Sequence, residues 1–206
     1  MSFLTKSSSD SVNHLLKQKM SKQSFKKDKI TSTFKEYRNS LAYRSWFADK
    51  MKQDLDVVVN CNVLTFVFQK ELPLESVDYD AISFIQSVVA TNKHIEKGYL
   101  VSPHYQKPSI ILYHIARLIS VANHEQLNQL REKIISDLYL KLECTICTME
   151  RIILLSSLYR LNEKVDFQID LNRAQKDMDD FYWYRTNFLC GHKFWIKKIF
   201  GKDHFL

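Results

Sequence analysis

Three glycines and three prolines in 206 residues constrain this chain more than any other feature. An all-β sandwich needs a turn about every 8 to 12 residues, and such turns draw on glycine and proline for their backbone angles. So few breakers favour helices joined by polar loops. The length fits one domain, since single cores usually occupy roughly 100 to 200 residues. Hydrophobic residues at 45% and charged residues at 26% match ordinary globular usage. The chain can bury a core and is not a largely disordered one.

Apolar spacing locates the helices. Asp10 or Ser11 is placed to cap a short basic helix ending near Met20. A longer helix is expected after Thr31, where Phe34, Tyr37, Leu41, Arg44 and Trp46 keep a rough three-to-four spacing. The run Val57–Phe68 is ambiguous. Its β-branched residues suit a strand, whereas Val57, Cys61, Leu64 and Phe68 share one helical face behind Asp54 and Asp56, where a helix start favours negative charge. The helix reading is preferred. Pro73 then interrupts, and Asp78 or Asp80 can cap a helix with the stripe Ala81, Phe84, Ile85, Val88 and Val89. Asn92 to Lys107 reads as a long loop holding Gly98 and Pro103. Pro108 and Ser109 start the next helix, with Ile111, Ile115, Leu118 and Ala122 facing inward. Asn123 caps its successor, which carries Leu127, Leu130, Ile134 and Leu138. Thr145–Leu161 is apolar nearly all round, as a helix buried between neighbours should be. Helices of 12 to 18 residues recurring about every 25 residues are hairpin-repeat behaviour. After Asp166 the pattern gives way to an irregular aromatic segment with Phe181, Tyr182, Trp183 and Tyr184 in sequence. The organisation expected is a basic flexible arm or short helix over residues 1–30, then one helical domain over 31–206.

Charge and cysteine usage bound the setting. Net charge is +7, and residues 1–38 hold nine Lys or Arg against three acidic residues. Such a segment can touch nucleic acid or an anionic membrane, but a solvated arm is the preferred reading and nucleic acid is not favoured as a partner. The apolar stretches Val57–Phe68 and Ile110–Ala122 fall short of the ~20 residues of a membrane span. The opening MSFLTKSSSD lacks a secretory pattern, so a cytoplasmic protein with free thiols is expected.

Three stretches carry a family resemblance: AYRSWFADKMKQDLDVVVNCNVL, VSPHYQKPSIILYHIARLIS and MERIILLSSLYRLN. Together, over roughly residues 41–165, they resemble a group of bacterial proteins similar to the α/α-toroid superfamily, which includes terpenoid cyclases and protein prenyltransferases. The resemblance implies an all-α fold of antiparallel helical hairpins, arranged as a partial α/α-toroid. A complete toroid uses about twelve helices and this sequence supplies seven or eight. A partial barrel, a shortened homologue and half of an assembly completed by another subunit all stay open.

The same resemblance supplies candidate chemistry. Class II terpenoid cyclases protonate their substrate with a DxDD motif, because a carboxylic acid in an apolar cavity beside other carboxylates can be kept protonated. Here Asp54 and Asp56 stand in that place as candidate catalytic residues, followed by valines that leave the motif incomplete, and helix capping is their competing role. Asn60 and Asn62 are candidate ligand-binding residues, since amides on an apolar helix must find partners or cost about 1–3 kcal/mol each. Their competing role is to tie down a neighbouring loop. His104 and Tyr105 in the long loop, with His114 and Arg117 on the next helix, are candidates for a pocket mouth. Against this, His114 lies beside the apolar stripe, where a core histidine is ordinary.

Prenyltransferases hold zinc with Asp, Cys and His. Cys144, Cys147, Cys190 and His192 could supply four ligands, but no second CxxC is present and buried structural cysteine is the preferred reading, so no metal or cofactor is assigned. Gly-rich phosphate loops, nucleophile elbows and HExxH are absent from the sequence, which removes the usual support for hydrolase and nucleotide-binding functions. The reading that follows is a toroid-like helical protein that binds an apolar small molecule or a protein partner, itself or another chain, in a central cavity. An isoprenoid-acting enzyme is the alternative, and a nucleic-acid-associated protein acting through the basic arm is the third.

Overall fold

The computed structural model describes residues 10–24, 30, 33–45, 54–165, 172–174 and 177. Among them the chain is all-α: α1 (Asp10–Ser21), a 3-10 turn (Lys35–Tyr37), α2 (Val57–Gln69), α3 (Ser76–Ala90), the single turns α4 (Lys93–Glu96) and α5 (Gly98–Val101), α6 (Pro108–Val121), the single turn α7 (Glu125–Asn128), α8 (Arg131–Cys144) and α9 (Thr148–Arg160). Extended pairing among these residues is limited to isolated bridges joining Ser24 to Tyr43 and Arg44 to Leu55. No helix of the described residues is long and apolar enough to cross a membrane. The aromatic stretch at Phe181–Tyr184, with Cys190 and His192, lies outside the described residues.

The β-branched run after Asp56 is a helix, and two causes outweigh strand propensity. Asp56 caps α2, its Oδ1 accepting from Val58 N at 2.8 Å and Val59 N at 3.3 Å, which satisfies two of the donors every helix start leaves open. Burial does the rest. Val57, Val58, Cys61, Leu64 and Val67 are fully enclosed, with α3 and α6 packed on α2. A strand here would leave its ladder bonds without partners in a helical interior, whereas a helix satisfies its own.

Helix ends follow from the scarcity of glycine. Glu71, Asn92 and Asn162 take the left-handed conformation just past α2, α3 and α9, with φ of 50°, 54° and 60°. After α2 and α9 the paired reverse bonds of a Schellman motif close the last turn: Leu72 N to Val67 O and Glu71 N to Phe68 O, then Glu163 N to Leu158 O and Asn162 N to Tyr159 O. Asparagine, the residue after glycine that best tolerates this conformation, does the work at two of the three positions. Gly98 is required for a different reason. A Cβ there would stand 2.5 Å from the Gln106 carbonyl oxygen.

Some expectations fail at the segment ends. The helix expected after Thr31 is reduced to the 3-10 turn, because the backbone from Tyr43 to Ser45 is held extended by other partners: Arg44 N donates to Gln23 O and Ser45 N to Asp54 O, and both backbone groups of Tyr43 are taken by the Asn60 side chain. The aromatic spacing has another use, with Tyr37 edge-on to Phe84 of α3 at 5.1 Å. Neither Asp78 nor Asp80 is the cap of α3. Glu75 occupies that position and Asp78, three residues on, accepts its N–H at 2.7 Å. The long loop contains α4 and α5, and Asn123 gives way to His124 as the residue preceding the next turn, α7.

The core is continuous from α2 through α9, and α6 sits between α2 and α9, packed against both. Pairings along α2 and α6 run in step. Asp56 meets Ser102 and His104 just before α6, and Asn62 meets His114 and Arg117 within it, so the two helices lie side by side in the same direction. At the far end, Arg131 donates to Leu161 O and Arg151 to Leu142 O, tying the start of α8 to the end of α9 and the end of α8 to the start of α9.

Helix α1 docks through charge. Lys17 is 2% exposed and reaches Asp78, itself fully buried, while Tyr43 Oη accepts from Lys17 Nζ at 2.9 Å and donates to Asp78 Oδ1 at 2.7 Å. One lysine of the basic N-terminal segment therefore belongs to the interior. Burial, with the Asp78 carboxylate beside it, pushes the Tyr43 phenol far above its ordinary range, so it stays protonated and serves as the donor.

Candidate functional site

Two polar constellations lie along the α2–α6 contact. The first is closed. Asp56 is fully buried and holds the connection before α6 against the start of α2: Ser102 Oγ donates to its Oδ1 at 2.7 Å and His104 N to its Oδ2 at 3.2 Å. Burial raises the carboxyl pKa of Asp56, while the Ser102 hydroxyl and the His104 peptide pull it back. Asp54 is also buried, its Oδ2 lying 3.7 Å from His104 Nε2, and its backbone carbonyl accepts the Ser45 hydroxyl at 2.7 Å. The structure thus brings Asp54, Asp56 and His104 together, in an interior nest that joins three chain segments.

Asn60 is part of this closed framework. Its amide oxygen accepts Tyr43 N at 3.0 Å, and its Nδ2 donates to Tyr43 O at 3.1 Å and to Asp56 O at 2.9 Å. A side-chain amide has the same donor and acceptor as a peptide, so Asn60 pairs with Tyr43 as a neighbouring strand would.

The second constellation opens toward solvent. Asn62, two residues beyond Asn60 and on the other side of α2, is half-buried, and its Oδ1 accepts from His114 Nδ1 at 2.9 Å and lies 3.5 Å from Arg117 Nη1. His114 and Arg117 stand three apart on α6, which puts both on one face. The Tyr105 ring is 5.9 Å and the Tyr113 ring 5.1 Å from the His114 ring, and Arg160 of α9 lies over Tyr113 at 5.6 Å. Of the eight candidates, Asn62, Tyr105, His114 and Arg117 gather here, while Asp54, Asp56, Asn60 and His104 belong to the interior nest.

Desolvation, with the Arg117 cation adding to it, lowers the His114 pKa to about 4. At neutral pH the ring is uncharged, and an amide oxygen can only accept, so Nδ1 carries the proton and Nε2 keeps its lone pair. A histidine whose folded pKa lies below its ordinary 6.5 weakens the fold as pH falls, because the unfolded chain binds the proton first. This contribution is intact above pH 6.5 and lost as pH falls through 4. By denaturant titration, His114→Asn, which keeps a donor toward Asn62, should reduce the stability lost between pH 7 and pH 4 by up to about 3 kcal/mol. His94, lowered by burial despite its Asp137 partner, titrates in the same direction in both proteins and cancels in the difference. An identical acid slope in the two proteins would show that His114 titrates like a solvated ring.

No family model, no curated protein and no solved structure matches this chain. Among the described residues no group of three or more His, Cys, Asp and Glu side chains could hold a metal ion. Cys144 is an exposed free thiol and Cys147 a half-buried one, and Cys61 is enclosed, with burial pushing its thiol far above the ordinary range.

Periodicity did not single out two further clusters. Glu150 of α9 accepts Lys107 Nζ at 2.6 Å and Ser109 Oγ at 2.9 Å, fastening α9 to the start of α6. Asp137 accepts Lys133 Nζ at 2.6 Å and pairs with the fully buried His94 at 2.8 Å. The Lys133 to Asp137 spacing of four is a legible helical pair. His94 reaches it across 43 positions, a distance over which sequence spacing carries no signal.

Proposed function

We propose that this chain is a helical binding protein that takes an apolar ligand bearing one anionic group, with Asn62, Tyr105, His114 and Arg117 as its recognition site. The observation that carries this reading is the state of Arg117. Arg117 is half-buried, and among the described residues its guanidinium has one hydrogen-bond partner, the Asn62 amide oxygen at 3.5 Å, and no carboxylate in salt-bridge range. A guanidinium held partly out of water retains N–H donors that a carboxylate or phosphate would satisfy bidentately. Neutral His114 adds no second cation, and the Tyr105 and Tyr113 rings supply apolar walls.

The layering supports the toroid-like part of the reading. Helices α2 and α6 run in step, and the end-to-start ties of α8 and α9 fit an antiparallel hairpin. The isoprenoid-enzyme alternative draws less from the geometry. Asp56 spends its oxygens on α2's first turn and on Ser102 and His104, with no exposed surface through which a substrate would meet it.

The test uses fatty carboxylates of increasing chain length and their matching alcohols as probes, with thermal shift and calorimetry as readouts. Carboxylates should bind at least about tenfold more tightly than the alcohols, the scale of one charge-assisted bond. Arg117→Met should abolish that preference while leaving the fold intact. Equal affinity for acid and alcohol, or an undiminished preference in Arg117→Met, would remove the proposed site.

A further inference from the structure

Helix α1 is turned inside out. Its polar residues Asn13 and Lys17 are buried at 4% and 2% exposure, while Val12, Leu15 and Leu16 face outward at 44%, 51% and 44%. The Lys17 contacts with Asp78 and Tyr43 explain the orientation. A lysine enclosed to this degree is tolerated only where it meets a counter-charge, and its pairing with Asp78 fixes the rotation of α1 about its axis. The aliphatic face is thereby held in solvent.

That face is not purely apolar. At 100° per residue Lys19 falls between Val12, Leu15 and Leu16, and Lys22 follows in the turn just past α1, its N–H donating to Gln18 O at 3.2 Å. Both lysines are exposed. The surrounding segment, residues 1–38, carries nine basic and three acidic side chains. Three classes of occupant respond differently to this combination. Nucleic acid would take the lysines but offers nothing to three adjacent aliphatic side chains. A second copy related by a two-fold axis through this face would set Lys19 against its own counterpart, and three aliphatic side chains are few beside the roughly 20–30 residues a side of a stable interface. An anionic lipid surface takes both features: aliphatic side chains enter the headgroup boundary and the lysine stems extend so that their ammonium groups meet the lipid charges.

We propose that the outward face of α1, formed by Val12, Leu15, Leu16 and Lys19, with Lys22 just past its last turn, docks the protein on an anionic membrane surface. Docking leaves α1 in place and needs no rearrangement of the core. A helix lying in the interface requires no spanning segment. This inference does not depend on the Arg117 site, which lies on α6.

The test is co-sedimentation of the full chain with vesicles of phosphatidylcholine alone and of phosphatidylcholine mixed with phosphatidylserine, at low and high salt. The protein should pellet with the mixed vesicles and stay largely in solution with phosphatidylcholine alone, and high salt should release it. Leu15→Ser/Leu16→Ser and, separately, Lys19→Glu/Lys22→Glu should each weaken binding by about tenfold or more. All four positions are exposed, so denaturation midpoints close to the wild type will confirm that the variants fold. The proposal is overturned if the wild type ignores the mixed vesicles, or if the leucine variant binds them as well as the wild type. It is equally overturned if light scattering finds a dimer that the leucine substitutions dissociate, since the face would then belong to a second copy.

Discussion

Asp78→Ala is expected to lower the folding free energy by about 3–5 kcal/mol, the usual cost of removing one partner from an enclosed ion pair. Three donors lose their acceptor together: the Lys17 ammonium, the Tyr43 hydroxyl and the Glu75 N–H. The loss also strands a cation that is 2% exposed and opens the first turn of α3. Lys17→Met should cost less, because Asp78 keeps the Tyr43 and Glu75 donors and a methionine side chain fills most of the lysine's volume. Equilibrium denaturation of the three proteins would order them wild type, Lys17→Met, Asp78→Ala. If Asp78→Ala unfolded within about 1 kcal/mol of the wild type, the pair would be contributing no more than a surface salt bridge.

The second large effect is expected at Asp56. Removing its carboxylate with alanine deletes an N-cap, a change worth about 0.5–2 kcal/mol by itself. It also strands the Ser102 hydroxyl and the His104 N–H in the interior, at about 1–3 kcal/mol for each unsatisfied group. A total loss of about 3 kcal/mol or more follows, read as a shift of the denaturation midpoint at unchanged cooperativity. Asp56→Asn should fall between, because its amide oxygen can still serve Val58, Val59 and Ser102 while its NH₂ faces the His104 donor. Asp54→Asn should change little, since the backbone carbonyl of Asp54 makes the ties to Ser45. The ranking separates a structural acid from a catalytic one. An Asp56→Ala protein that melted with the wild type would show that the nest does not hold α2 to the loop before α6.

Which residues lie near which was legible only over short distances. The helical spacing of Val57, Cys61 and Leu64 and the stripe from Ala81 to Val89 could be read directly, as could Pro108 at the first position of α6. The spacing of Phe34, Tyr37 and Leu41 misled, because the partners that hold the following segment extended, Gln23, Asp54 and Asn60, lie outside any local window. For the candidate site, the sequence marked Asn60 and Asn62 alike. Two positions along a helix turn the side chain by about 200°, so one amide faces the Tyr43 backbone and the other faces α6.

What the sequence determined by itself is the helical class and the approximate place of most long helices, because periodicity, capping residues and scarce breakers act within a turn or two of the chain. What only the tertiary structure decided is which polar residues are enclosed. Lys17 in a basic segment and Asn60 in an apolar run look like surface or ligand groups until Asp78 and Tyr43, 61 and 17 positions away, are brought against them. Whether a polar group stabilises, binds or stays in water depends on partners that the fold, and not the neighbouring sequence, supplies.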